Sequence, residues 1–102
     1  MGTFRELDPL IHSQLRLSIM SILVNAEEAE FVYLREQTGS TAGNLSVQIN
    51  KLKTAGYLAV KKGFQNNYPQ TLCSITPLGR KKFEEYLEAL GDYFKSPLTG
   101  KA

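Results

Sequence analysis

Residues 33–58 read YLREQTGSTAGNLSVQINKLKTAGYL, and the spacing of their apolar and glycine positions decides the fold. Leu45, Ile49 and Leu52 recur four and then three residues apart, the interval of one face of an α-helix, which predicts a helix from about Ala42 to Ala55. Gly56 ends it. Upstream, a shorter helix runs from Phe31 or Val32 to Thr38, with Phe31, Leu34 and Val32 as the inward candidates. Gly39 closes that helix, because glycine takes the left-handed conformation without a steric cost. Ser40 or Thr41 then offers a side-chain oxygen to cap the next helix. Two helices joined by so short a glycine turn form a helix-turn-helix unit.

Outward from this unit the pattern changes on both sides. Upstream, Asp8-Pro9 has the cap-plus-proline form of a helix start, and Leu15, Ile19, Ile22 and Leu23 continue at helical spacing to about Asn25. Ala26-Glu27-Glu28 reads as a turn, and Glu28-Ala29-Glu30 as a short edge strand. Downstream, Leu58, Val60 and Phe64 share one parity of an alternating stretch, and Cys73 and Ile75 one side of a second. Gln65-Asn66-Asn67-Tyr68-Pro69 between them is dense in turn formers, so the two stretches form a hairpin with a polar tip. Thr76-Pro77 opens a last helix that runs to about Phe94, before an expected loose tail over 95–102. The expected fold is mainly α with a small β-hairpin (α+β), a single domain with its core over about 8–94.

Composition limits the functions this fold can carry. With 102 residues, 42% of them hydrophobic and 22% charged, the chain is an ordinary globular domain. One cysteine, Cys73, and one histidine, His12, leave no internal disulfide and no single-chain zinc spacing, so no metal or cofactor is expected. Cys73 falls on an inward strand parity and reads as a buried thiol, and His12 as a surface or dimer-contact residue. There is no membrane-length apolar run and no signal-peptide pattern, and Glu6 stands where a myristoylation signal wants Ser or Thr. A cytoplasmic location is expected. No nucleophile and histidine fall together, no glycine-rich phosphate loop occurs, and Glu84, Glu85 and Glu88 read as the solvated face of the last helix. The chain is therefore not expected to be an enzyme. The net charge is only +2, but it is unevenly spread: no Asp or Glu falls between Glu36 and Glu84, while that segment holds Lys51, Lys53, Lys61, Lys62, Arg80, Lys81 and Lys82. Such a segment suits a polyanion, whose neutralised phosphates release counterions, although a basic surface kept for solubility has the same composition.

The stretches Tyr33-Leu34-Arg35-Glu36-Gln37-Thr38-Gly39, Gly43-Asn44-Leu45-Ser46, Leu52-Lys53-Thr54-Ala55-Gly56-Tyr57-Leu58 and Ile75-Thr76-Pro77-Leu78-Gly79-Arg80-Lys81-Lys82-Phe83 together resemble the MarR-like and ArsR-like winged helix-turn-helix transcriptional regulators. The resemblance covers about Asp8 to Phe94. It implies a recognition helix over Thr41 to Ala55 in the major groove of duplex DNA, with the hairpin as a wing on the backbone or the neighbouring minor groove. The residues agree independently. With Leu45, Ile49 and Leu52 turned inward, the helix presents Asn44, Val47, Gln48 and Lys51, with Thr41 and Gly43 at its start. Asn and Gln can bond adenine edges in two places, Lys can reach guanine or phosphate, and Val47 can meet a thymine methyl. Gly43, costly inside a helix, fits a close approach to another surface or is a tolerated first-turn defect. Lys61, Lys62, Gln65, Asn66 and Asn67 are the wing candidates. The acidic-plus-arginine wing pair common in MarR proteins is missing, which favours a wing that touches phosphates alone. The cysteine metal motif of many ArsR proteins is also missing from the recognition helix.

The last helix carries Phe83, Tyr86, Leu87, Leu90, Tyr93 and Phe94, an aromatic-rich stripe at intervals of three and four residues. A domain of this size can bury only part of such a stripe, so it is expected, with Leu10 and Ile11, to pack against a twofold-related copy, the alternative being that it folds back wholly onto its own domain. A homodimer would set two recognition helices roughly 34 Å apart and call for a pseudo-palindromic site. No feature of the sequence identifies a small-molecule effector. Two other uses of the same fold remain open at this point: a protein-interaction adaptor module and a binder of structured RNA.

Overall fold

The computed structural model describes residues 4–99, and its elements follow in the order α1 Gln14–Ala26, β1 Glu28–Glu30, α2 Phe31–Thr38, α3 Ala42–Thr54, β2 Leu58–Gln65, β3 Tyr68–Ile75 and α4 Pro77–Thr99. The strands make one antiparallel sheet in the order β1-β3-β2. Ala29 and Val60 flank Cys73 from its two sides, and Leu58 pairs with Ile75. One face of this sheet closes a core built from Ile19, Met20 and Leu23 of α1, Leu34 of α2, Leu45, Ile49 and Leu52 of α3, and Phe83 and Tyr86 of α4. Cys73 is fully buried there, and burial pushes its thiol pKa up.

The link between α2 and α3 forms as its residues require. Gly39 takes φ 69° and its N–H bonds the carbonyl of Arg35 at 2.9 Å. Thr41 Oγ1 then accepts from Asn44 N at 3.1 Å, which satisfies one of the free donors at the start of α3. At the other end of the sheet, Asn66 and Asn67 both take positive φ, 52° and 69°. That pair makes a two-residue hairpin turn, so the strands run to its edge and Tyr68 and Pro69 belong to β3 rather than to a longer loop.

Four expectations are corrected. Asp8-Pro9 does not begin α1: Asp8 Oδ1 accepts from Leu10 N at 2.9 Å, and its carbonyl accepts from the N–H groups of Ile11 and His12, so the cap closes a separate turn and α1 starts after Ser13. Val32 is exposed, because an eight-residue helix lying on the sheet edge turns only Leu34 fully inward. The last helix does not stop at Phe94 but continues to Thr99, where a loose tail over 95–102 was expected; residues 100–102 lie outside the described residues. The proline at position 97 removes one backbone donor without ending the helix.

The fourth correction concerns the expected dimer face. Ile11, Phe83 and Tyr86 are buried in the chain's own core, because the turn at Asp8 folds the N-terminal arm back over the start of α4. Leu10 and Leu90 are half-buried against the same core. Tyr93 is partly covered by the arm: the rings of Phe4 and Tyr93 lie 4.7 Å apart, and Arg5 bonds Asp92 at 3.0 Å. Of the stripe, Leu87, Tyr93 and Phe94 stay exposed. The molecule is elongated, 61 × 25 × 21 Å, with α4 much its longest helix.

Candidate nucleic-acid interface

Because Leu45, Ile49 and Leu52 anchor α3, its remaining sides face outward. Thr41, Gly43, Asn44, Val47 and Lys51 are all exposed, and a Cβ added at Gly43 would meet nothing within 4 Å. Among the described residues, no part of the chain's own body crowds Gly43, so whatever approaches it closely must come from outside. Gln48 is the exception on this helix. It is half-buried, its carbonyl oxygen accepts a hydrogen bond from the Arg16 guanidinium, and its amide nitrogen donates to Asn44 Oδ1 at 3.1 Å. Arg16 in turn donates from Nε to the carbonyl of Leu10. The expected free amide for adenine is therefore already engaged, and Arg16 on α1 is a positive charge at this surface that the sequence pattern did not single out.

A second group was also missed. Ser46, Asn50 and Lys53 of α3 line a groove of about 280 Å³ whose opposite wall is Val60, Lys62 and Thr71 of the hairpin, with Phe31 and Ile49 also lining it. Their spacing of four and three residues marks a polar stripe beside the buried one, a signal that was available in the sequence. The groove brings one side of α3 and the wing lysine Lys62 to a common concavity. Lys61 lies on the opposite face of the hairpin, since its partner in the sheet is Leu72 while that of Lys62 is Thr71. Gln65, Asn66 and Asn67 form the exposed tip, where Gln70 Nε2 donates to Gln65 Oε1.

Charge follows the same geometry. Among the described residues, Lys51, Lys53, Lys61 and Lys62 take part in no ion pair, whereas Lys82 lies 3.7 Å from Glu85. Arg80 is half-buried and donates to the carbonyl of Val24 at 3.4 Å, in the last turn of α1, where a cation is favoured. Among the described residues, Lys81 on α4 is also exposed and in no ion pair, so five of the seven basic residues of the acid-free segment present free charge at the surface, four of them on α3 and the wing. An unpaired cationic rim beside a helix that displays Asn44, Val47 and Lys51 can hold a phosphate backbone while presenting side chains to base edges.

Residues 15–94 match the family model of the winged helix DNA-binding domain, and the chain belongs to that family. Among relatives, an uncharacterized protein of Methanocaldococcus jannaschii is 33% identical over 78 residues, which cover 76% of this chain and 85% of that protein. Structural neighbours include transcriptional regulators, MarR of E. coli among them. The transcriptional regulator homologue of Pyrococcus horikoshii OT3 superposes with a TM-score of 0.80 at 25% identity, covering 85% of this chain and 86% of that one. A mutant MarR from E. coli, solved in complex with operator DNA, shares the fold at a TM-score of 0.69 and 18% identity, covering 91% of this chain and 66% of its own.

Proposed function

We propose that this chain is a homodimeric transcriptional regulator that binds duplex DNA with sequence preference, α3 in the major groove and the wing on the adjoining backbone, and that it works in the cytoplasm without catalysis. The observation that carries the reading is the shared groove between α3 and the wing, which Lys53 and Lys62 both line and to which no acid contributes. A phosphate strand laid along that groove meets both lysines while Asn44, Val47 and Lys51 face the bases. The winged helix DNA-binding family and the E. coli MarR neighbour solved with operator DNA support duplex binding. No helix among the described residues is long and apolar enough to cross a membrane, which is compatible with this setting.

Selection of bound fragments from random duplex DNA, followed by anisotropy titrations at several salt concentrations, tests the proposal. A recovered pseudo-palindrome is expected, and Lys53→Ala and Lys62→Ala, which each remove one phosphate-neutralising charge, should each reduce the salt slope by about 1. Failure to retain any duplex at low salt would overturn the reading and leave the adaptor or RNA-binding alternatives.

A further inference from the structure

Alternation along β2 places Phe64 on the inward parity, yet the hairpin carries it outward. It shares a face with Leu58, Val60 and Lys62, but it lies beyond the last helix that could cover it and is 77% exposed. Its partner across the ladder is Pro69, so the two make an apolar tip on the same hairpin face that lines the groove with α3. Along β2 this face runs from the core at Leu58, through the groove at Val60 and Lys62, to Phe64, roughly 7 Å beyond Lys62. The other face differs. It bears Tyr68 opposite Gln65, and Glu30 of β1 shares a shallow hollow with Gln65, Asn66, Tyr68 and Gln70, which the edge of Pro69 also borders. An acid at that position disfavours phosphate there, whereas the Phe64 face carries no acid from β2 or β3.

We infer that Phe64, backed by Pro69, is an apolar wedge that enters the minor groove beside the site read by α3 and partly unstacks a base step, bending the duplex. This rests on the duplex-binding reading above and replaces the expectation of a wing that touches phosphates alone. The charge pattern selects the occupant: an apolar side chain two residues past an unpaired lysine meets the floor of a groove when that lysine holds the phosphate at its edge. Side chains inserted in this way kink DNA towards the major groove, with flexible pyrimidine–purine steps giving way most readily.

The test uses the duplex recovered by selection, labelled at its two ends for energy transfer and carrying 2-aminopurine at the steps flanking the α3 contact. The whole protein is expected to shorten the end-to-end distance and brighten the 2-aminopurine. Phe64→Ala, at an exposed position, should keep the melting temperature, lose both signals, bind roughly tenfold more weakly and retain the salt slope. Lys62→Ala should do the reverse, lowering the slope while the bend persists. Equal bending by the parent protein and Phe64→Ala would overturn the wedge while leaving duplex binding intact, as would a loss of self-association in Phe64→Ala with unchanged DNA affinity. A parent protein that binds no duplex would instead remove the reading on which the wedge rests.

Discussion

Gln48 shows how one contact changes the chemistry a recognition helix can offer. A glutamine reads adenine by accepting from N6 and donating to N7, which needs both ends of its amide. Here Arg16 already bonds the oxygen and Asn44 takes one of the amide hydrogens, so the oxygen is a weaker acceptor for adenine N6 and the donor that remains can meet any base acceptor, whether N7, guanine O6 or thymine O4. Arg16→Ala should therefore free the amide oxygen and shift the preferred base at one position towards adenine. Discrimination there is expected to change by about 1–3 kcal/mol, read from binding selections on the two proteins. Tyr57 carries a second residue-scale prediction. Its hydroxyl donates to Asp8 Oδ2 at 2.6 Å, and burial, reinforced by that carboxylate, pushes its pKa well above the usual value near 10. A folded-state pKa raised above the unfolded one stabilises the fold fully below about pH 10, and the contribution is lost as pH rises through the folded value. Tyr57→Phe keeps the ring but leaves Asp8 Oδ2 without its donor, while Oδ1 keeps the N–H of Leu10. It should lower stability by about 1.5 kcal/mol in urea unfolding at neutral pH and remove that alkaline dependence.

At the scale of elements, the entry to α4 is the most constrained junction in the fold. Thr76 Oγ1 accepts from Gly79 N at 2.9 Å and donates to the carbonyl of Gly56 at 2.6 Å, locking the start of α4 to the end of α3. A Cβ at Gly79 would fall 2.1 Å from the carbonyl oxygen of Tyr57, a backbone atom that cannot step aside. Gly79→Ala should therefore cost about 1–3 kcal/mol and lower the melting temperature, although alanine is the better helix former elsewhere. Gly43→Ala, with open space around it, should leave stability equal or raise it by up to about 1 kcal/mol; weaker DNA binding at the same time would show that the partner's backbone comes close there. These two glycines mark the limit of what was legible. The α2-turn-α3 unit, β1 and the hairpin could be read because periodicity, caps and turn residues are local signals. The exposure of Asn44, Val47 and Lys51 on α3 could be read for the same reason, although Ser46, Asn50 and Lys53 beside them were passed over. Arg16 and the Asp8–Tyr57 bond could not, since each joins residues from separate elements and depends on how those elements pack. The exposure of Phe64 could not be read either, because parity gives the side of a strand, whereas burial depends on where the covering layer ends.

For the whole molecule, the open question is what meets the outer end of α4. Leu87 and Phe94 are exposed, while the chain's own arm reaches Tyr93 through Phe4 and Asp92 through Arg5. The hydrogen bonds from Arg5 hold the Asp92 carboxyl below its ordinary value, so this attachment is present above the usual carboxylate range and is lost as pH falls through the lowered value. Because both partners lie at the surface, raised salt should also loosen it. If α4 pairs with a second copy, the arm completes the face presented to that copy, and dimerisation should weaken under both conditions while the core stays folded. Phe94→Glu places an unpaired charge on the proposed contact without touching the core, and should give a folded monomer by sedimentation at concentrations where the parent is a dimer. That monomer should still bind a half-site through α3 but lose the preference for two half-sites spaced by one turn. A parent protein that sediments as a monomer throughout would remove α4 from recognition, and the binding site would then be expected to lack twofold symmetry.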